Sequence, residues 1–204
     1  DIEYFQKLVF HYEDSSKFIF LFEKYESILN FQKFNSRLSE KDSCLSLLHL
    51  ISTSKLIINQ GLSCQFNFLR PEFILYSPKN ECLKLSFSSI LLSLTENIKK
   101  SKVDDLFNLY DAPEIRNRRS EINEKSLIWS LGILLYKFIV GNVPDTEISS
   151  ERLFFPSDVN HDMKDLISKM LIISKEDRVG FDYILNHKAM NRVMSKETIS
   201  KYKI

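Results

Sequence analysis

The stretch KSLIWSLGILLYKFIV, residues 125–140, decides the fold of this chain. Apolar side chains occupy almost every position, and they leave almost no polar face on a helix of about four turns. A helix that is apolar all round is buried, and a membrane span needs about 20 apolar residues in a row. The stretch therefore predicts the buried central helix of a larger helical domain.

Other patterns predict the elements around this helix. The runs LVFHY and KFIFLF are separated by a polar turn, residues 13–16, and indicate a β-hairpin. From Ser43 onward, apolar positions 44, 47, 48 and 51 share one helical face, so a helix should run through this segment and end before Gly61. A second hairpin is expected over 73–76 and 82–87, and a helix capped by Asn160 should follow. The predicted fold class is mainly α, with a minor β part (α+β).

Composition excludes several function classes. The chain has 204 residues, 44% of them hydrophobic, and a formal net charge of +1, which gives no reason to expect nucleic acid or an anionic membrane as partner. It has only four glycines, and neither GxGxxG nor GxxxxGK[ST] occurs, so no phosphate loop of those kinds is present. Its three cysteines form no CxxC pair, so we expect no metal, no disulfide and an intracellular location, cytoplasmic or nuclear.

Five motifs in order carry a family resemblance. YDAPE at 110–114 is followed by KSLIWSLGILLY at 125–136, VGNVP at 140–144, FP at 155–156, and then EDR at 176–178 with ILNH at 184–187. This series resembles the C-terminal lobe of eukaryotic protein kinases. LRPE at 69–72 is similar to the catalytic loop of that family, and residues 8–27 resemble the last N-lobe strands and the hinge. The resemblance also implies that Ser39 and Glu40 open the long helix before that loop. The resemblance implies remnant N-lobe strands and hinge at 1–27 and a kinase-like C-lobe at 28–204, without the Gly-rich loop or the ATP-binding lysine.

The same resemblance implies that the reactive positions are degenerate. Asn67 and Phe68 stand where the family has the arginine and the catalytic aspartate, and Phe73 stands where it has the magnesium-binding asparagine. The metal-binding aspartate position falls on Phe87, or on Ser86 in a register shifted by one residue. A phenyl ring accepts no proton and cannot ligate Mg²⁺, which prefers oxygen ligands. These positions predict a catalytically inactive domain, a pseudokinase that binds no ATP.

Three further features lead to expectations about contacts. The resemblance implies a buried structural ion pair between Glu114 and Arg178. Arg116, Arg118 and Arg119 form a basic cluster that could be an anion or partner patch, or simply a solvated face. The aromatic side chains expected to converge in the cleft would form either a groove for a partner or a collapsed core; they are Phe66, Phe68, Phe73 and Phe87.

The functional prediction is therefore an inactive protein-binding scaffold or assembly subunit, without cofactor, metal or small-molecule substrate. We expect a protein partner or a larger complex. The alternative is a divergent serine/threonine protein kinase or nucleotide binder whose N-lobe lies outside this sequence. Metal-dependent nucleotide binding would favour the alternative.

Overall fold

The computed structural model describes residues 5–14, 18–61, 68–86, 109–116, 122–144 and 153–202. Helices and two small sheets make up this part of the chain, which is the mixed class that the sequence predicts. The strands are β1 (Leu8–Glu13), β2 (Phe18–Phe22), β3 (Glu26–Ser27), β4 (Ile74–Ser77) and β5 (Cys82–Leu85). The helices are α1 (Glu40–Asn59), α2 (Pro113–Arg116), α3 (Glu124–Val140), α4 (His161–Met170), α5 (Phe181–Asn186), α6 (Lys188–Val193) and α7 (Lys196–Ser200).

Both predicted hairpins are present. β1 and β2 pair antiparallel in a two-stranded sheet, with Phe10 opposite Leu21. β3, β4 and β5 form a second antiparallel sheet in that order, with Leu75 opposite Lys84. Phe73, which the pattern assigned to a strand, lies instead in a 3-10 turn, because proline two residues earlier starts a turn.

The central helix α3 is buried as its sequence predicts. Asn123 caps its first turn and forms a reciprocal capping box with Ser126. Gly141 ends it in a left-handed conformation, φ 95°, which favours glycine. Helix α1 packs against one side of α3 and helix α4 against another, so α3 lies inside the core.

The caps predicted for the two flanking helices are also confirmed. The Ser39 hydroxyl accepts a hydrogen bond from the Asp42 amide at the start of α1. The Asn160 side chain accepts one from the Asp162 amide at the start of α4. These bonds satisfy amides that a helix start leaves without an intrahelical partner.

The chain crosses the predicted boundary at residue 27 within one sheet. β3 pairs with β4, and the amide of Gln6 donates to the Leu85 carbonyl of β5 at 3.1 Å. The division into residues 1–27 and 28–204 stays a prediction. In the part of the chain that the structure describes, no helix is long and apolar enough to cross a membrane.

Candidate functional site

The loop before β4 is held from both sides. The Ser27 hydroxyl donates to the Pro71 carbonyl at 2.9 Å, which ties the loop to β3. The Ser86 amide donates to the Phe73 carbonyl at 2.9 Å, which ties it to the end of β5. The LRPE stretch therefore has a defined position at one edge of the three-stranded sheet.

Arg70 joins this loop to the YDAPE segment. Its Nη2 lies 3.3 Å from Oδ2 of Asp111, and both side chains are largely buried, 7% and 14% exposed. Ion pairs shielded from water are screened less than surface pairs. The pair places one cation and one carboxylate side by side at the site, across 41 residues of sequence.

A second carboxylate lies near the same place. Burial raises the pKa of the Tyr110 hydroxyl, and the negative charge of Glu72 raises it further. Burial lowers the pKa of Lys137, and the charge of Glu72 opposes that shift. Glu72 is thus close enough to influence both Tyr110 and Lys137, although it makes no ion pair that the structure shows among the described residues.

The predicted metal positions offer no metal ligands. Phe68 is fully buried and Phe73 is half-buried. Neither phenyl side chain carries an oxygen, whereas Mg²⁺ is held by oxygen atoms of carboxylates, carbonyls and water. Among the described residues there is no group of three acidic, histidine or cysteine side chains that could hold a metal ion, so these positions do not fit magnesium.

Two of the four predicted cleft phenylalanines, Phe66 and Phe87, lie outside the described residues, and so does Asn67. The convergence of the four phenylalanines therefore stays a prediction. Ser86, the other register for the metal position, is buried at the end of β5.

Lys84 is a buried cation that the sequence reasoning did not single out. It lies on β5 between Leu83 and Leu85 and is fully buried. Its Nζ lies 5.2 Å from the centroid of the Tyr25 ring, a cation–π arrangement. The only sequence signal was a lysine inside an apolar strand, which is uncommon for a charged side chain.

Glu114 and Arg178 form the ion pair expected from the resemblance. Arg178 Nη1 lies 2.8 Å from Glu114 Oε1, and Nη2 lies 3.1 Å from Oε2. The other guanidinium hydrogens go to backbone carbonyls of Lys125, Ile172 and Ile173. The guanidinium also lies over the Trp129 ring, 5.2 Å from its centroid. All five donors of this side chain are therefore used.

Arg116 is not part of a solvated face. Its Nε donates to the Asp111 carbonyl at 2.8 Å, and its Nη2 donates to the Leu109 carbonyl at 3.0 Å. Burial lowers its pKa, and its guanidinium lies 5.9 Å from the Trp129 ring centroid. Arg118 and Arg119 lie outside the described residues, so an anion patch that includes them stays a prediction.

The known proteins that the chain is similar to are all named as kinases. No family model matches the chain. The chain is 30% identical over 129 residues to a probable serine/threonine-protein kinase, HSL1, of Saccharomyces cerevisiae, which covers 58% of this chain and 8% of that protein. It is 35% identical over 92 residues to the serine/threonine-protein kinase atg1 of Dictyostelium discoideum, covering 41% and 14%. It is 26% identical over 198 residues to an Aurora kinase of Candida glabrata, covering 89% and 52%.

These relatives support a protein-kinase-like domain at modest identity. The matched part spans about half of the Candida glabrata protein and a smaller share of the other two. The prediction of a catalytically inactive scaffold is wrong, and so is the prediction that the chain is not an enzyme, because the relatives are named as kinases, two of them as serine/threonine-protein kinases. Apolar residues at the motif positions led to that prediction, and the comparisons favour the alternative.

Proposed function

We propose that this chain is part of a divergent serine/threonine protein kinase that binds a nucleotide and transfers its terminal phosphoryl group to a hydroxyl. The observation that carries the proposal is the similarity to proteins named as kinases: an Aurora kinase matches 89% of the chain, and two serine/threonine-protein kinases match 58% and 41%. The Ser/Thr specificity and the substrate of the whole protein are part of the proposal.

The contacts at the site supply two of the groups that such a reaction uses. Phosphoryl transfer is mostly positioning and electrostatic stabilisation, with a cation near the phosphate oxygens and a carboxylate that orients the hydroxyl. Arg70 is the cation of the LRPE loop, and Asp111 is the carboxylate 3.3 Å from it. We assign Asp111 to orienting the acceptor hydroxyl and Arg70 to holding Asp111 and contacting phosphate.

Buried contacts support the segment that carries Asp111. Arg178 fastens Glu114 at two points, and Glu114 belongs to the four-residue helix α2. Arg116, at the end of the same helix, donates to the Asp111 carbonyl. The position of Asp111 therefore depends on the buried Glu114–Arg178 ion pair through one short helix, which is the kind of support that precise positioning requires.

The proposal assigns no metal ligand to Phe68 or Phe73. Because these side chains cannot bind Mg²⁺, the charge on the nucleotide phosphates has to be balanced elsewhere, and the described cation at the loop is Arg70. This is the respect in which the proposed enzyme diverges from the pattern that its motifs resemble.

A phosphotransfer assay tests the proposal. The purified protein is incubated with γ-labelled ATP and a mixture of serine- and threonine-containing peptides, and label transfer is measured. We expect transfer by the wild type and a decrease in kcat of about 100-fold or more for Asp111→Asn, the usual size of a lost acid–base or orienting group. Asp158→Asn is the matched control, because Asp158 also pairs with an arginine, Arg37, but on the exposed surface.

Two outcomes would contradict the proposal. The first is a wild-type protein that transfers no label above a sample without protein. The second is transfer that Asp111→Asn and Asp158→Asn lower equally, since Asp111 would then have no particular role.

A further inference from the structure

Side chains of two helices hold the backbone that leads up to the Asp111 carboxylate. The Leu109 carbonyl accepts hydrogen bonds from Trp129 Nε1 at 3.4 Å and from Arg116 Nη2 at 3.0 Å. The Asp111 carbonyl accepts one from Arg116 Nε at 2.8 Å. The carbonyls on both sides of residue 110 are therefore fastened to helices α2 and α3.

The carbonyl between these two is held by Ser130 of the central helix α3. The Ser130 hydroxyl is buried and donates to the Tyr110 carbonyl at 2.7 Å. Its oxygen also lies 3.2 Å from the Ser126 carbonyl of its own helix. A hydroxyl has one hydrogen to donate, and the carbonyl of a helical residue accepts from the amide four residues later in any case. The shorter contact, to Tyr110, is therefore the one that requires the hydroxyl.

We propose that Ser130 is a positioning residue for phosphoryl transfer, because its hydroxyl fixes the direction of the Asp111 carboxylate. This role rests on the kinase function proposed above. The Tyr110 carbonyl and the Cα of Asp111 belong to the same planar peptide unit, so a rotation of that unit moves the Asp111 side chain. Reacting groups tolerate little displacement, since a shift of about 1 Å can lower a rate about 100-fold. Ser130 is buried in α3 and acts only through Asp111.

A second buried serine shows what a purely local role looks like. The Ser54 hydroxyl in α1 donates to the Leu50 carbonyl at 2.7 Å, four residues earlier in the same helix. Ser54 is fully buried, as Ser130 nearly is. The two serines thus have the same burial and the same bond length, but Ser130 bonds to a segment 20 residues away in the sequence. Ser54 is therefore a matched control for the loss of a buried hydroxyl.

Steady-state phosphotransfer from γ-labelled ATP to serine- and threonine-containing peptides tests the role of Ser130. Ser130→Ala should lower kcat about tenfold, the factor that corresponds to roughly one hydrogen bond. Ser54→Ala also removes one buried hydroxyl, but it should leave kcat within about twofold of wild type because no residue of the site depends on it.

A double-mutant cycle with Asp111→Asn separates positioning from a general structural defect. If Ser130 acts through the Asp111 carboxylate, Ser130→Ala should lower kcat by less than about twofold in the Asp111→Asn background. A structural defect would lower kcat by the same factor in both backgrounds.

The fluorescence of Trp129 follows the same segment without an assay of activity. Trp129 is the single tryptophan of the chain, and its indole donates to the Leu109 carbonyl. If Ser130→Ala releases the segment, water reaches the indole and the emission maximum should move to longer wavelength. Ser54→Ala should keep the emission maximum of wild type.

The positioning role is overturned if Ser130→Ala keeps kcat within about twofold of wild type, or if Ser54→Ala lowers kcat equally. Equal losses from Ser130→Ala with and without Asp111→Asn overturn it as well. So does an unchanged emission maximum, because the hydroxyl would then not hold the segment. A wild type that transfers no label contradicts the kinase function instead, and the emission maximum still decides whether Ser130 holds the backbone next to Asp111.

Discussion

Arg178 and Glu114 meet through the two terminal guanidinium nitrogens and both carboxylate oxygens, at 2.8 and 3.1 Å, beneath the ring of Trp129. The arginine is fully buried and the glutamate nearly so. Three segments meet at this pair: helix α2, the start of α3 and the turn after α4. The pair therefore connects the segment that carries Asp111 to the buried core.

Removing one partner of this pair should destabilise the protein strongly. Glu114→Gln leaves a buried guanidinium without its counter-charge, so we expect the free energy of unfolding to fall by about 3–5 kcal/mol. Arg178→Lys should also be costly, because an ammonium group cannot form the two-point contact. Urea unfolding followed by circular dichroism measures both.

The control for this prediction is Asp158→Asn, which breaks the exposed pair with Arg37. Exposed pairs contribute about 0–1 kcal/mol, so this variant should unfold at nearly the same urea concentration as wild type. Equal losses for Glu114→Gln and Asp158→Asn would show that the buried pair has no special structural role.

A methyl group at residue 132 should destabilise the protein, because the core around Gly132 has no room for it. A Cβ on Gly132 would lie 2.8 Å from Cδ2 of Leu171 and 3.1 Å from Cβ of Met170. Alanine is a better helix former than glycine by about 1 kcal/mol, but overpacking a well-packed core costs about 1–3 kcal/mol. We expect Gly132→Ala to lower the free energy of unfolding despite its better helix propensity.

A double-mutant cycle identifies the contact responsible. In a Leu171→Ala background the space for the new methyl group is available, so the loss caused by Gly132→Ala should shrink by more than about 0.5 kcal/mol, the usual threshold for coupled neighbours. Additive effects of the two substitutions would mean that Leu171 is not the neighbour that rejects the methyl group.

Stability should decrease with acid through His49. Burial lowers the pKa of this imidazole from 6.5 to about 4, and its Nε2 lies 3.0 Å from the Tyr202 hydroxyl. The unfolded chain binds the proton more tightly, so stability rises with pH between about 4 and 6.5 and is constant above that range. The histidine should contribute up to about 3 kcal/mol of this change, at about 1.4 kcal/mol for each pKa unit.

His49→Gln keeps a group that can accept the Tyr202 hydrogen bond but does not titrate. The free energy of unfolding of the variant, relative to that of wild type, should therefore rise steadily as the pH falls from 6.5 toward 4. Chemical unfolding of both proteins at a series of pH values measures this difference. A difference between the two proteins that stays constant over this range would contradict the assigned titration.

Patterns close together in the sequence predicted most of the fold. The all-apolar stretch at 125–140 predicted α3, and the capping residue Asn160 predicted the start of α4, because both signals act within one or two turns. The start of α1 at Ser39 was expected from the family resemblance. The strand limits were less accurate at Phe73, where a turn stabilised by the preceding proline replaced the expected strand.

Contacts between distant segments were harder to predict. Nothing in the local sequence indicates that Arg70 lies beside Asp111, since 41 residues separate them and no periodicity relates them. Arg116 was expected in a basic cluster on the surface or in an anion patch, but the one-turn helix α2 directs it to backbone carbonyls and to the face of Trp129.

The functional prediction failed for a related reason. Phe68 and Phe73 at motif positions argued for an inactive domain on the assumption that the missing groups have no replacement. The carboxylate of Asp111, which the fold brings to the loop, was not considered, although it lies within the YDAPE motif. The names of the relatives then favoured the kinase alternative.

The most direct test of the proposed kinase function is nucleotide binding measured by thermal unfolding, with ATP added in the presence and absence of Mg²⁺. At ATP concentrations about 100 times the dissociation constant, binding should stabilise the wild type by about 2.7 kcal/mol and raise its Tm by about 5 °C or more. Arg70→Ala should reduce this shift, and Arg37→Ala, at an exposed pair, should retain it. A Tm that ATP leaves unchanged with or without Mg²⁺, up to millimolar concentration, would contradict the proposed function.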